Sequence, residues 1–441
     1  MTLKGSTLPQ LAAALDADLT TSAALVDEAL DAIAADSRAF TYIDAGHARA
    51  AARAADHERR EGRAASHLAG IPVSVKDLFD IAGQTTSAGS AIFAGAAPAD
   101  ADAPVVARLK SAGLIVIGRT QMSEFAFTGL GLNPHAPQPA NPLDRERVPG
   151  GSSGGAAVSV ALGQAAGALG TDTGGSVRIP AAFCGLAGFK PTQRRVTRAG
   201  VFPLSPTLDS IGPIANSAAC CALLDAIIAD EAAPPASPID LSRIRLGAPD
   251  GYLLTDMEPA VAEAFDRALA GLAEAGACIE TFAFPQLGRI PAMNARGSIS
   301  NAESFALHRR LGLMAHRDRY DPNVLARIEL ARSMPAADYL DLLAERAALI
   351  SEADRALAGY DALLAPTSPI LAPRFAEVAD PAAFARLNAL VLRNPMVVNI
   401  LDRCAISLPI APGAGLMVIG ATMDDARLLA IAQALERHLE R

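Results

Sequence analysis

Gly150-Gly151-Ser152-Ser153-Gly154-Gly155 is followed at a short distance by Gly170-Thr171-Asp172-Thr173-Gly174-Gly175-Ser176-Val177-Arg178-Ile179-Pro180. Both stretches are glycine-rich turns that carry hydroxyls. Glycine reaches positive φ and lets a second backbone or a ligand approach closely. A run such as Thr173-Gly174-Gly175-Ser176 can therefore turn successive N–H groups toward one point, which is what stabilising an oxyanion requires. A serine beside such a nest is a candidate nucleophile if a neighbour can take its proton. Either turn alone reads as an ordinary loop of an alanine-rich chain. The pair gains weight from Lys76, which follows the apolar run Ile71-Pro72-Val73-Ser74-Val75.

Outward from these turns, 156–162 reads as a helix that places Ser152 and Ser153 near its N-terminus, where partial positive charge favours an anion. Residues 165–170 read as a short strand. Upstream, 71–75 and 114–118 are β-branched runs of strand length, and 102–112 between them has helical spacing. Strand, helix, strand is the pattern of an α/β domain with parallel pairing. Residues 121–133 combine Phe125, Phe127, Leu130 and Leu132 with glycines and read as core, with a pocket wall as the second reading. The segment 134–149 holds five prolines and reads as an ordered loop.

The flanks are less informative. Residues 8–15, 21–35 and 47–62 have helical spacing, with a cap at Thr20-Thr21-Ser22. Glu58-Arg59-Arg60-Glu61 mixes both signs and reads as a solvated helix face. Residues 219–361 are mostly helical, with strands at 244–248 and 278–284 and a proline-rich surface connection at 232–238. The α/β pattern returns at 362–366, 405–410 and 416–420, and a helix over 424–439 follows. Strands on both sides of a helical middle imply one sheet that the C-terminal part completes. The organisation expected is a single unit over 1–441: N-terminal helices (1–65), a core (66–218), a helical middle (219–361) and C-terminal strands with a helix (362–441).

The totals exclude several classes. Of 441 residues, 51% are hydrophobic and 19% charged, which suits a globular chain. A net charge of −9 and the lack of a basic run argue against nucleic acid as a partner. The five cysteines are an odd number without a CxxC pair, which fits buried reduced thiols better than disulfides or zinc. The first residues do not read as a signal peptide, and no apolar run suits a bilayer, so no membrane partner and a cytoplasmic location are expected.

Ser176 needs a base. None of the seven histidines sits in a glycine-rich motif. Gly151-Ser152-Ser153-Gly154-Gly155 formally matches G-x-S-x-G with Ser153 in the centre, but a proline-rich loop replaces the strand that a nucleophile elbow needs. Lys76 is the other base. Burial at a strand end disfavours a charged lysine, and a neutral amine accepts a proton. From its own segment alone, pairing with Asp77 or Asp80 is the simpler role. A second serine between a lysine and a distant nucleophile would relay a proton, and the two turns supply both serines.

The stretch from 150 to 192, with GGSSGG, GTDTGGSVRIPA, CGLAGFKPT and the spacing between them, resembles the signature of the amidase signature family of serine hydrolases. The likeness extends through Pro72-Val73-Ser74-Val75-Lys76-Asp77, Gly118-Arg119-Thr120, Glu124-Phe125, Leu208-Asp209-Ser210-Ile211-Gly212-Pro213 and Ala365-Pro366-Thr367-Ser368-Pro369. It implies an α/β fold with a large twisted mixed sheet covered on both faces by helices. By position it implies a Ser-cisSer-Lys triad of Ser176 (nucleophile), Ser152 (bridge) and Lys76 (base). It further implies an oxyanion hole from the N–H groups of Thr173, Gly174, Gly175 and Ser176, with Ser153, Asp172 and Arg178 supporting the loops. The reaction implied is cleavage of a small-molecule amide through an acyl-enzyme, with carbamates, ureas and esters also within the family's range. No metal or organic cofactor is implied, and a homodimer is the assembly the family suggests. The competing readings are the glutaminase subunit of a tRNA-dependent amidotransferase and a catalytically silent binding subunit. Three residues depart from the family's usual choices: Arg194 and Asp402 where glycine is common, and Cys404 where proline is.

Overall fold

Eleven strands form one mixed sheet in the order β1-β3-β2-β4-β6-β5-β10-β11-β9-β7-β8. The strands are β1 (Phe40–Ile43), β2 (Pro72–Lys76), β3 (Ile115–Thr120), β4 (Gly167–Asp172), β5 (Ala187–Lys190), β6 (Ser210–Ala215), β7 (Arg245–Asp250), β8 (Cys278–Ala283), β9 (Ala362–Pro366), β10 (Ala405–Ala411) and β11 (Ala414–Ile419). The structure is a computed structural model and describes residues 2–232 and 239–439. The proline-rich connection expected at 232–238 lies, but for Ala232, outside the described residues.

The central strands β2, β4, β5 and β6 are buried along their whole length. A strand covered on both faces reads as an unbroken apolar or small-residue run rather than an alternating one. β2 pairs in parallel with both β3 and β4, as the strand-helix-strand reading requires. The pairs β4–β6, β5–β6, β5–β10, β10–β11 and β9–β11 are antiparallel, which makes the sheet mixed. β10 pairs with β5, so the C-terminal strands do complete the sheet begun by the N-terminal half.

The N-terminal helices are Leu8–Asp16, Ser22–Ala35 and Ala45–Arg60, and the Thr21 side chain accepts from Ala24 N–H as the cap. The charged run at the end of the third helix is mostly solvated, as read: Arg60 and Glu61 are exposed and Glu58 is half-buried. Arg59 is the exception; it is largely covered and donates to Ala69 O at 2.8 Å, because its long stem reaches the loop ahead of β2. The thiols are free; Cys184, Cys220, Cys221 and Cys404 are buried as expected, whereas Cys278 is exposed on β8 at the sheet edge. Among the described residues no helix is long and apolar enough to cross a membrane.

Candidate active site

Lys76 ends β2 at the point where its neighbour β4 runs into the second glycine turn. Its side chain has no exposed surface. Lys76 Nζ donates to Ser152 Oγ at 2.7 Å and to Thr171 Oγ1 at 2.8 Å. Among the described residues no carboxylate bonds it, so the simpler ion-pair role with Asp77 is not the one it takes. Asp77 instead pairs with Arg119 at 2.7 Å, and Asp80 accepts from Thr86 at 2.7 Å. Burial pulls the Lys76 pKa from 10.5 down to about 7, against the opposing pull of Asp172 and Asp209.

The Gly151–Ser152 peptide is cis, as the family resemblance implies. Gly151 N–H donates to Gly129 O at 2.8 Å and Ser152 O accepts from Ser123 N–H at 3.2 Å, so both sides of that peptide are held. The helix Gly154–Ala161 starts directly after the turn. Ser153 Oγ donates to Thr171 O at 3.3 Å, and Ser153 N–H donates to Ser176 O at 3.2 Å, which fastens one turn to the other. Lys76, Ser152 and Ser176 are thus brought into one buried cluster. The Lys76–Ser152 leg of a relay is closed. No hydrogen bond joins Ser176 Oγ to Ser152 among the described residues.

Asp172 organises the second turn. Its Oδ1 accepts from Gly175 N–H at 2.8 Å, Arg178 Nη2 at 2.9 Å and Asn399 Nδ2 at 3.0 Å; its Oδ2 accepts from Arg178 Nε at 3.0 Å and Val177 N–H at 3.2 Å. Burial alone would raise its pKa, but the Arg178 guanidinium outweighs burial and holds the carboxyl at about 2. Of the four N–H groups expected to form an oxyanion hole, that of Gly175 is bonded to Asp172. Gly175 itself has φ +125°, and a Cβ there would stand 2.5 Å from Pro395 Cγ.

Several site residues have roles that the sequence does not mark. Thr171 is the second partner of Lys76. Asn399 bonds both members of the Asp172–Arg178 pair. Asp209 accepts from Thr173 Oγ1 at 2.6 Å and from the N–H groups of Leu204 and Ser205 at 3.0 Å. Burial raises its pKa to about 6, with Thr173 and the two amides pulling the other way. Thr171 and Asp209 lie within the family-like motifs, but those motifs do not say which group either side chain holds.

Two cavities flank the Thr173–Ser176 turn. One, of about 20 Å³, is bordered by Ser176, Gly174, Phe127, Ser300 and Arg327. The other, of about 340 Å³, is bordered by Thr171, Asp209, Arg198 and a mainly apolar wall. Ala126, Thr173 and Leu204 border both. The Phe125–Phe127 stretch is therefore core and pocket wall together. Phe125 and Ala126 have φ of 50° and 60°, a left-handed conformation unusual for side chains of their kind. No histidine borders the cavity that contains Ser176. His308 is instead buried against Tyr320, bonded at 2.7 Å.

A family profile described as Amidase matches residues 24–429. The chain belongs to the amidase family. The chain is 35% identical over 412 residues to the 2-amino-5-chloromuconic acid deaminase of Comamonas testosteroni, covering 90% of this chain and 88% of the relative. It is 35% identical over 442 residues to the A-type subunit of the glutamyl-tRNA(Gln) amidotransferase of Chloroflexus aggregans, covering 91% and 89%. A solved structure described as an amidase superposes with a TM-score of 0.89 at 34% identity, covering 99% of this chain and 100% of the other. The expected α/β fold of the amidase signature enzymes is the one present. The departures at Arg194 and Asp402 answer each other in this chain, since Arg194 Nη1 lies 3.1 Å from Asp402 Oδ2. Asp402 keeps the positive φ, 53°, that glycine would otherwise supply there.

Proposed function

We propose that the chain is a stand-alone amidohydrolase, acting as one catalytic unit, that cleaves a carboxylic C–N bond through Ser176, Ser152 and Lys76. The observation that carries this reading is the fully buried Lys76 bonded at 2.7 Å to Ser152 with no carboxylate partner. A lysine at 10.5 would be neutral in roughly one molecule in 3,000 at pH 7, whereas one at about 7 is neutral about half the time. Neutral Lys76 draws a proton from Ser152, which draws one from Ser176 as its Oγ swings into reach. Ser176 Oγ attacks the carbonyl carbon, and the N–H groups of Thr173, Gly174 and Ser176 take the oxyanion. The C–N bond breaks as the proton returns to the leaving amine, and water then releases the acid from Ser176.

The test is amine and ammonia release from glutamine, aliphatic and aryl amides, an anilide and an aryl carbamate. Wild type is expected to turn over at least one of them, with Ser176→Ala and Lys76→Ala lowering the rate by about 10³-fold or more. Equal turnover by Lys76→Ala would remove the lysine from the scheme. The relation to a tRNA-dependent amidotransferase supports a second reading, a glutaminase that hands ammonia to a partner. Glutamine as the preferred substrate, with partner proteins that co-purify, would favour it.

A further inference from the structure

Arg327 faces the same small cavity as Ser176. It sits on the helix Pro322–Glu329, in the helical middle of the chain. Its guanidinium has no counter-charge. Among the described residues no carboxylate pairs with it, and its buried Nε has no hydrogen-bond partner. Burial lowers its pKa to about 10, which leaves it charged at neutral pH. The side chain as a whole is half-buried, with its Nε enclosed. Holding a partly enclosed charge without a partner is costly, so a site that does so is shaped for an anion that arrives from outside.

The guanidinium is also held in place. It stacks over the Phe127 ring at 5.0 Å, and the Arg327 carbonyl accepts from Asn301 Nδ2 at 2.8 Å. Asp321 caps the helix, and its own N–H donates to buried Glu124 at 2.7 Å, which ties the helix start to the pocket wall. Ser300, another polar residue bordering this cavity, is 3% exposed. No acidic side chain borders the cavity, so an ammonium group finds no partner in it.

The two cavities also divide the substrate. The larger one reaches Thr171, whose hydroxyl is bonded to Lys76, so the amine that takes back the proton leaves on that side. The Arg327 side is left for the acyl group. Resting on the amidohydrolase reading, we infer that the acyl part of the substrate ends in a carboxylate seated on Arg327 and carries no ammonium group: a short amic acid, the monoamide of a dicarboxylic acid.

The full chain would be assayed with succinamate, butyramide and glutamine, as wild type, Arg327→Met and Arg327→Lys. A charge-assisted bidentate contact predicts kcat/KM for succinamate about 10- to 100-fold above butyramide in wild type. Arg327→Met should abolish that preference mainly through KM, and Arg327→Lys should restore part of it. Glutamine, a zwitterion, should be the poorer of the two carboxylate-bearing amides. Binding of succinamate to Ser176→Ala, measured by calorimetry with and without Arg327→Met, reads the anion site without any turnover. Butyramide as good as succinamate, an Arg327→Met that slows both equally, glutamine as a better substrate than succinamate, or no succinamate binding to Ser176→Ala would each overturn the assignment. Ser176-dependent turnover of butyramide alone would refute the anion site and leave the amidohydrolase standing. Arg327-dependent binding with no turnover of any amide would do the reverse.

Discussion

Two carboxylates act on the charge of one lysine. Burial lowers the Lys76 pKa, and Asp172 and Asp209 raise it. Asp172 is fixed by Arg178, which leaves Asp209 as the adjustable one. The relay needs the neutral amine, so turnover should rise with pH through about 7. Asp209→Asn removes a charge that favours ammonium, so the rising limb should move to lower pH; a pH–rate profile of both proteins checks this. An unmoved limb would mean that Asp209 acts only by holding Thr173. At this scale the sequence was informative where chemistry sits in a motif. Lys76, Ser152, Ser176 and Asp172 lie in glycine-rich or strand-end stretches whose composition already points to a turn or a buried charge. Arg327 does not, because a lone arginine in a helical pattern looks like any solvated arginine. Its meaning comes from the absence of a partner, and only the assembled structure shows which partners are absent.

Among the elements, strands with apolar or β-branched runs were legible, whereas β5 and β6 were not. The strands at 71–75, 114–118, 362–366 and 405–410 stand within two residues of β2, β3, β9 and β10. β5, Ala-Gly-Phe-Lys, and β6, Ser-Ile-Gly-Pro-Ile-Ala, have poor intrinsic strand character and exist because neighbours pair with them. The helix Pro381–Ile400 contains Pro395, normally a helix breaker, yet it delivers Asn388, Asn394 and Asn399 to buried backbone and side-chain partners. Gly212 in β6 shows what such a sheet demands. A Cβ at Gly212 would lie 1.9 Å from the Phe189 carbonyl oxygen, so no side chain fits without separating β5 from β6. Gly212→Ala should cost about 3 kcal/mol or more and lower the melting temperature, as thermal unfolding would show. A melt within a degree of wild type would mean that the strands can part there freely.

Across the whole molecule the site is a seam. Lys76, Ser152 and Ser176 come from the N-terminal half of the chain, and Arg327 and Asn399 come from beyond β8. Asp172 joins the halves, since it binds Arg178 on its own side and Asn399 from the other. Asp172→Ala leaves Arg178 buried and unpaired, which should cost about 3–5 kcal/mol. The Asp172 pKa is lowered from 3.8 to about 2 on folding. Its contribution, about 2 kcal/mol, is therefore complete above 3.8 and lost as pH falls through about 2. Denaturant unfolding at pH 7 and pH 3 measures both, and a mutant as stable as wild type at pH 7 would contradict the account.

The join between β5 and β10 also sets a timetable. Lys190 pairs with Ala405, 215 positions later in the chain. At about 5–20 residues per second, a ribosome takes roughly 10 to 40 seconds to cover that distance. Throughout that interval the six N-terminal strands end in an open edge at β5, a template to which other chains can add. The protein is therefore most vulnerable while it is being made, and conditions that slow elongation between residues 190 and 405 lengthen that exposure.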